Sequence, residues 1–382
     1  MGLFINIKII TKRLIIYENN SIFALNKIIM SQFIGDKDIK VDFNDILITP
    51  AIITDISSRS EINPFHSNGL LPLFTAPMDT VVDESNADLF MSHKLNICLP
   101  RGENRTQHSM FQAYSLKQFT EKFILDDLAD VLIEPIYVLI DTANGHILEL
   151  VETTKLAKER YGNMMILMVG NIANPDTYKV LSNAGADYIR VGIGNGNGCL
   201  TTQQLGIGYP MASLVRECYY ASLSLEKPAK IVADGGMKEY SDIIKALALG
   251  ANYVMLGSIL NKCAESCGQS FLKDNGRPVP ISNLEAVNHF KRGDLGEATI
   301  IKEFRGMSTK EVQRKWGNET LKTSEGVVRY RPVEYTLEQW VDNFESYLRS
   351  AMSYVGARTL EEFVANSEFI NITNNSYNRF KK

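Results

Sequence analysis

The segment richest in chemistry is Gly192-Ile-Gly-Asn-Gly-Asn-Gly-Cys199-Leu-Thr201-Thr202, which sets four glycines in seven residues ahead of a cysteine. Such a loop lets backbone groups approach a ligand closely and takes up φ values that other residues avoid. Its carbonyls can circle a cation and its amides can face a phosphate. A thiol presented there is a candidate nucleophile, because thiolate is the most accessible side-chain nucleophile near neutral pH. An isolated cysteine is more often a small buried side chain, which is the reading for Cys98, Cys218, Cys263 and Cys267. The loop is not a dinucleotide fingerprint, since no helical pattern opens at the required spacing. A second constellation is Asp234-Gly235-Gly236 with Gly257-Ser258 one unit later. A strand-end Asp can accept from both hydroxyls of a ribose, and Gly amides followed by Gly-Ser suit a phosphate. A third is Arg305-Gly306-Met307-Ser308 followed by Ser324-Glu325-Gly326, in which Glu325 is a loop carboxylate able to relay a proton. The five histidines are scattered without metal spacing, and Cys263-x-x-x-Cys267 lacks the partners of a zinc site.

Short, continuously apolar runs must position these groups: Leu71–Phe74, Asn96–Leu99, Ile136–Ile140, Ile166–Val169, Tyr188–Val191, Ile231–Ala233 and Tyr253–Leu256. Runs of this kind read as parallel strands covered by helices on both faces. Amphipathic stretches at 147–160, 175–184 and 241–249 lie between them, and helices ending near Gly185 and Gly250 turn directly into strands. The polar and glycine residues follow many different strands, which describes the active face of a (β/α)8 barrel. A doubly wound sheet would gather them at one switch point. The expected fold is therefore an α/β (β/α)8 barrel.

With 44 acidic and 40 basic side chains and 45% apolar residues, the composition is that of a globular domain. No basic block offers a surface for nucleic acid. The odd count of five cysteines fits a reducing compartment, so a soluble cytoplasmic protein is expected. Residues 1–35 are apolar but broken by Lys8, Lys12 and Arg13, so no run reaches the roughly 18 residues of a membrane helix. They read as a poorly ordered extension, with the barrel domain over 36–375 and a short tail over 376–382.

From about Val41 to Thr373 the chain resembles the inosine monophosphate dehydrogenase / guanosine monophosphate reductase family. The residues carrying the resemblance are Pro77-Met-Asp-Thr-Val81, Asp141-Thr142-Ala143-Asn144-Gly145, Gly170-Asn171, Gly192–Thr202, Gly206-Ile-Gly-Tyr-Pro210, Asp234-Gly-Gly, Val254-Met-Leu-Gly-Ser258, Arg305-Gly-Met-Ser308 and Ser324-Glu-Gly326. The resemblance implies that Cys199 attacks C2 of a purine to give a thioimidate, with Thr201 and Glu325 moving protons. It implies that Asp234 holds the ribose, that Gly235, Gly236, Gly257 and Ser258 hold the 5′-phosphate, and that Gly306, Met307, Ser308, Ser324 and Gly326 gather around the base. Asp141, Thr142, Ala143, Asn144 and Gly145 would line the nicotinamide side, and carbonyls of Gly194, Gly196 and Cys199 would hold a potassium ion. Family members generally form tetramers.

Within the family the reductase branch is favoured. Only about residues 100–135 lie where the dehydrogenase carries a regulatory insertion, and Thr309–Thr323 is shorter than its flap. Ser58-Arg59 resembles the reductase pair that favours the 2′-phosphate of NADPH. The expected reaction is NADPH-dependent conversion of GMP to IMP and ammonia. The alternatives are an insertion-free dehydrogenase oxidising IMP to XMP with NAD, and an inactive nucleotide-binding homologue. Two departures alter the cysteine loop: Asn197 replaces the family's phosphate-binding Ser, and Thr202 replaces its Arg. They permit a deoxy- or modified purine nucleotide as substrate.

Overall fold

The computed structural model describes residues 39–103, 109–126, 132–274, 276–293, 298–306, 309 and 326–380. Its centre is eight parallel strands: β2 (Leu73–Thr75), β3 (Cys98–Leu99), β4 (Phe111–Tyr114), β5 (Ile136–Asp141), β6 (Met165–Ile172), β7 (Tyr188–Val191), β8 (Lys230–Asp234) and β9 (Tyr253–Leu256). They pair in the order β2-β9-β8-β7-β6-β5-β4-β3. The circle closes beside β3, where Thr75 N donates to Asn96 O at 3.0 Å and Asn96 N to Leu73 O at 2.9 Å. A (β/α)8 barrel is thus the architecture, as the strand and glycine pattern predicts. An antiparallel pair, β1 (Ile46–Thr49) with β14 (Glu368–Asn371), joins the two ends of the described chain.

The strands are mostly apolar because alternate residues face two different dry environments. Leu139, Met168, Val232 and Met255 point into the barrel, whereas Val138, Ile140, Leu167, Val169, Val254 and Leu256 point outward under the helices. The lower interior is plugged by aromatic rings. Phe74 lies 4.9 Å from the Tyr253 ring and 5.6 Å from Phe111, and Phe111 lies 5.2 Å from Tyr188, mostly edge to face.

The outer helices start where their caps dictate. Asn174 accepts from Asp176 N ahead of Pro175 at the head of α1 (Pro175–Asn183). Thr336 and Gln339 form a reciprocal capping box at the head of α2 (Leu337–Tyr354), whose buried stripe is Leu337, Trp340, Val341, Phe344, Leu348 and Met352. Gly185 and Gly250 carry φ values of +99° and +111° at the helix-to-strand turns, and a Cβ at Gly250 would strike the Tyr219 ring.

Four features depart from the sequence reading. The strand after Gly69 is Leu73–Thr75 rather than Leu71–Phe74: Leu71 N donates to Lys94 O at 2.8 Å and Pro72 O accepts from Val254 N at 3.0 Å, but the residue-by-residue pairing with β9 begins only at Leu73. Phe111–Tyr114 is a barrel strand inside the 100–135 segment, too short to stand out as an apolar run. A separate antiparallel sheet, β10 (Ser270–Asp274), β11 (Arg277–Ile281), β12 (Thr299–Arg305) and β13 (Val328–Pro332), grows from the end of β9 in the order β11-β10-β12-β13. The helix Asn374–Phe380 runs through the expected boundary at 375/376. Among the described residues no helix is long and apolar enough to cross a membrane. Residues 1–35 lie outside the described residues.

Phe74 is 2% exposed at the centre of the ring cluster. Phe74→Ala should therefore lower the unfolding free energy by about 3–5 kcal/mol, read from urea denaturation.

Candidate active site

The same alternation that plugs the barrel builds the floor of the site. Two residues beyond Leu139, Tyr188 and Val232, the inward positions at the C-terminal ends of β5, β7 and β8 are Asp141, Arg190 and Asp234. Arg190 spans the interior: its Nη1 donates to Asp141 Oδ1 at 2.8 Å, and its Nη2 donates to Asp234 Oδ2 at 2.7 Å. A Cβ at Gly170 would collide with the Arg190 Cβ and backbone carbonyl, so the glycine lets β6 lie close against β7 at the level of Arg190. The β6–β7 register shifts between Gly170 and Ile172, and Asn171 reaches inward to donate to Asp234 Oδ2 at 2.8 Å and to Gly192 O at 2.9 Å. Arg101, beyond β3, holds Asp141 from the other side through Oδ2 at 3.0 Å and through its backbone carbonyl.

Burial would raise the Asp141 pKa, but Arg101 and Arg190 more than offset it and hold the carboxyl below its ordinary range. Burial would likewise depress the Arg190 pKa, yet Asp234 and Asp141 raise it, so the guanidinium is firmly charged.

Above this floor lies a cavity of about 510 Å³. The cysteine loop forms one wall. Gly192 (φ +133°) and Gly194 (φ +81°) have no room for a Cβ, the first against Asp234 O and the second against the Thr202 hydroxyl. Thr202, where the family motif has Arg, donates to Ile207 O at 2.9 Å and closes the segment back on itself. Cys199 N donates to Gly196 O at 3.0 Å, and Cys199 pairs with Gly326 in an antiparallel bridge. Gly198 and Gly306 pack backbone to backbone, so the two ends of the segment following β12 are clamped onto the loop. The Cys199 Sγ lies 3.1 Å from Thr201 Oγ1.

Most sequence-predicted residues meet around this cavity. Gly194, Gly196, Cys199 and Thr201 line it on one side, and Gly235, Gly236, Gly257, Ser258 and Gly306 on another. Asp141, Thr142 and Ala143 form a third wall next to Asp234. Asn144 and Gly145 sit just behind that wall, where Asn144 Oδ1 accepts from His146 N and Gly145 N donates to Asn171 O at 2.8 Å. Ser58 and Arg59 do not line the cavity of their own chain. Ser58 caps a 3-10 turn over Arg59–Glu61, and Arg59 O accepts from Arg349 near the far end of α2. Met307, Ser308, Ser324 and Glu325 lie outside the described residues.

Sequence reasoning missed the residues that fix the floor. Arg190 and Asn171 were not singled out as site residues, although a charged side chain at the third position of an otherwise apolar barrel strand is a signal in itself. The three-residue inward layer becomes visible only once the strands are in register.

Replacing Arg190 by Met takes the shared cation from two largely buried carboxylates, leaving Asp141 to Arg101 and Asp234 to Asn171. The variant should lose about 3–5 kcal/mol of stability near neutral pH. Asp141 has a lower pKa folded than unfolded, so its pairing stabilises fully above about pH 4–5 and is lost as acid protonates the folded carboxyl. The difference between wild type and Arg190→Met should therefore shrink as denaturation is followed from neutral to acidic pH.

Residues 122–380 match the family model described as IMP dehydrogenase / GMP reductase domain. GMP reductase 2 of Homo sapiens is 29% identical over 360 residues, covering 88% of this chain and 96% of the relative. GMP reductase 1 of Homo sapiens is 28% identical over 361 residues with the same coverage. An inosine-5′-monophosphate dehydrogenase of Chlorobaculum parvum is 33% identical over 236 residues, but these cover 62% of this chain and 45% of the relative. The barrel, its cysteine loop and the family match together establish that the chain belongs to the IMP dehydrogenase / GMP reductase family.

Proposed function

We propose that this oxidoreductase carries out the NADPH-dependent reductive deamination of GMP to IMP and ammonia. What carries the proposal is the convergence on one cavity of a Cys199–Thr201 pair, an Asp234 wall and an Asp141–Ala143 wall. Match over nearly the whole length of the GMP reductases, against less than half of the dehydrogenase, favours the reductase direction.

In this proposal the purine lies between Cys199 and the segment at Gly306, with its ribose hydroxyls donating to Asp234. Arg190 and Asn171 already fix one oxygen of that carboxylate, so it meets the sugar in a set orientation. The Cys199 thiolate adds to C2, the ring nitrogen taking up a proton, and the C2–N bond breaks as the amine leaves protonated as ammonia. The product of this step is a thioimidate. Thr201, within hydrogen-bonding distance of the sulfur, and Glu325 pass the protons. A reduced nicotinamide bound along Asp141, Thr142 and Ala143 would supply a hydride to C2. Breaking the C–S bond then returns the thiolate and releases IMP.

The Asp141 wall suits a nicotinamide because Arg101 and Arg190 hold it rigid, and the segment through Asn144 and Gly145 is tied to Asn171 behind it. The carbonyls of Gly194, Gly196 and Cys199 are neutral hard oxygens, the donor type an alkali cation such as potassium takes. A homotetramer acting in the cytoplasm is the proposed assembly. Ser58 and Arg59 do not line their own cavity, and in the proposed assembly they would meet a cofactor's 2′-phosphate from a neighbouring copy.

A second reading, IMP oxidation to XMP with NAD, is favoured by the 33% identity to the dehydrogenase over 236 residues. The two separate in one assay. Purified protein with potassium and NADPH should lose nicotinamide absorbance only when GMP is added, with IMP appearing in equal amount. Absorbance rising with IMP and NAD instead would make it a dehydrogenase, and silence in both would leave a nucleotide-binding homologue. Cys199→Ala should abolish turnover while GMP affinity stays within about threefold, and Thr201→Val should lower kcat by about 10²–10⁴. Undiminished turnover in Cys199→Ala would sink the covalent route.

A further inference from the structure

Asn197 stands on the cavity wall facing Ser258, and its Nδ2 donates to Ser258 Oγ at 2.9 Å. A hydroxyl oxygen that accepts a hydrogen bond directs its own proton elsewhere. Asn197 therefore dictates where the Ser258 hydroxyl donates. Around this pair the surfaces are backbone and uncharged side chains: the Cβ position of Gly235 is 3.0 Å from Gly196 N, that of Gly236 is 3.3 Å from Met211 Cγ and 3.5 Å from Asn195 Cβ, and that of Gly257 is 2.9 Å from the Met78 sulfur. Among the described residues of the cavity the cations are Arg101 and Arg190, and carboxylates hold both at the opposite end. An oxyanion at Ser258 would thus be met by neutral donors, whose strength depends on their direction.

We infer that Asn197 is a positioning residue that sets the substrate class of this site, orienting the Ser258 hydroxyl so that a nucleoside 5′-monophosphate binds and the bare nucleoside does not compete. The inference rests on the purine-nucleotide reading above. It makes the replaced residue of the loop a working part of a rebuilt phosphate cup.

Calorimetric binding of GMP and of guanosine, without cofactor, tests it in the full-length chain. The proteins compared are wild type, Asn197→Ala, Asn197→Ser, Asn197→Asp, Ser258→Ala and the Asn197→Ala/Ser258→Ala double variant. Loss of one hydrogen bond to a charged ligand predicts about tenfold weaker GMP binding in Asn197→Ala. Asn197→Asp should lose more, by like charge, and Asn197→Ser should recover part of the affinity. Guanosine affinity should stay within about twofold in every variant, which also reports an intact purine and ribose site. Because Asn197 acts through Ser258, the double variant should bind GMP no more weakly than Ser258→Ala. Equal losses for GMP and guanosine, no loss for GMP, or independent losses in the double variant would overturn the role of Asn197. Wild type that fails to prefer GMP over guanosine would instead overturn the nucleotide reading, and this role with it.

Discussion

One buried cation organises the interior of this barrel. Arg190 enters from a strand whose neighbours are apolar, and it would be intolerable there without Asp141 and Asp234 on either side. The requirement is reciprocal, since Arg190 balances both carboxylates, Asp141 together with Arg101 and Asp234 beside Asn171. Three strands are thereby held at one height: a slip of one residue in β5, β7 or β8 would turn its charged member outward into the helical layer. The ion-pair network that carries the polar walls is thus also a register lock for the fold.

The second constraint is steric. The cysteine loop lies so close to β8, to its own Thr202 and to the start of the segment after β12 that Gly192, Gly194 and Gly306 cannot bear a side chain and Gly198 has little room for one. Close contact of bare backbone brings Cys199 to Gly326 and to the wall made by Asp234 without bulky groups filling the cavity. The fold supplies precision where the chemistry needs it and leaves the solvent side to the small sheet β10–β13, whose central strand β12 delivers Gly306 to the loop.

The strand and helix pattern made the barrel legible in the sequence because its strands, buried on both faces, are short unbroken apolar runs. β4 escaped because Gln112 interrupts a four-residue strand, and the β10–β13 sheet escaped because its strands are half exposed and rich in charge and proline. The glycine loop, Asp234 and Gly257-Ser258 could be read as a site because each sits in its own motif. Arg190 and Asn171 could not, since their meaning depends on which side chains face inward at the same level, a property of register rather than of spacing along the chain. Ser58 and Arg59 show the opposite: a local motif whose single-chain surroundings, a capped turn against α2, are remote from the cavity.

The two ends of the cavity are electrostatically distinct, and the difference follows from the floor. Both arginines are committed to carboxylates, so the deep end presents charge that is already balanced and fixed in direction. It can orient polar groups such as hydroxyls or an amide but gives a phosphate no net attraction. The Ser258 end has no charge to offer among its described residues, only the Ser258 hydroxyl, the Asn197 amide and the backbone of the Gly235-Gly236 turn. Under the proposed function a nucleotide would be sorted along its length by geometry more than by net field, its hydroxyls to the rigid carboxylate and its phosphate to the Ser258 end. Neutral donors hold a fixed oxyanion only when they are well directed, so on this reading the Ser258 end depends on the Asn197–Ser258 hydrogen bond as the deep end depends on Arg190.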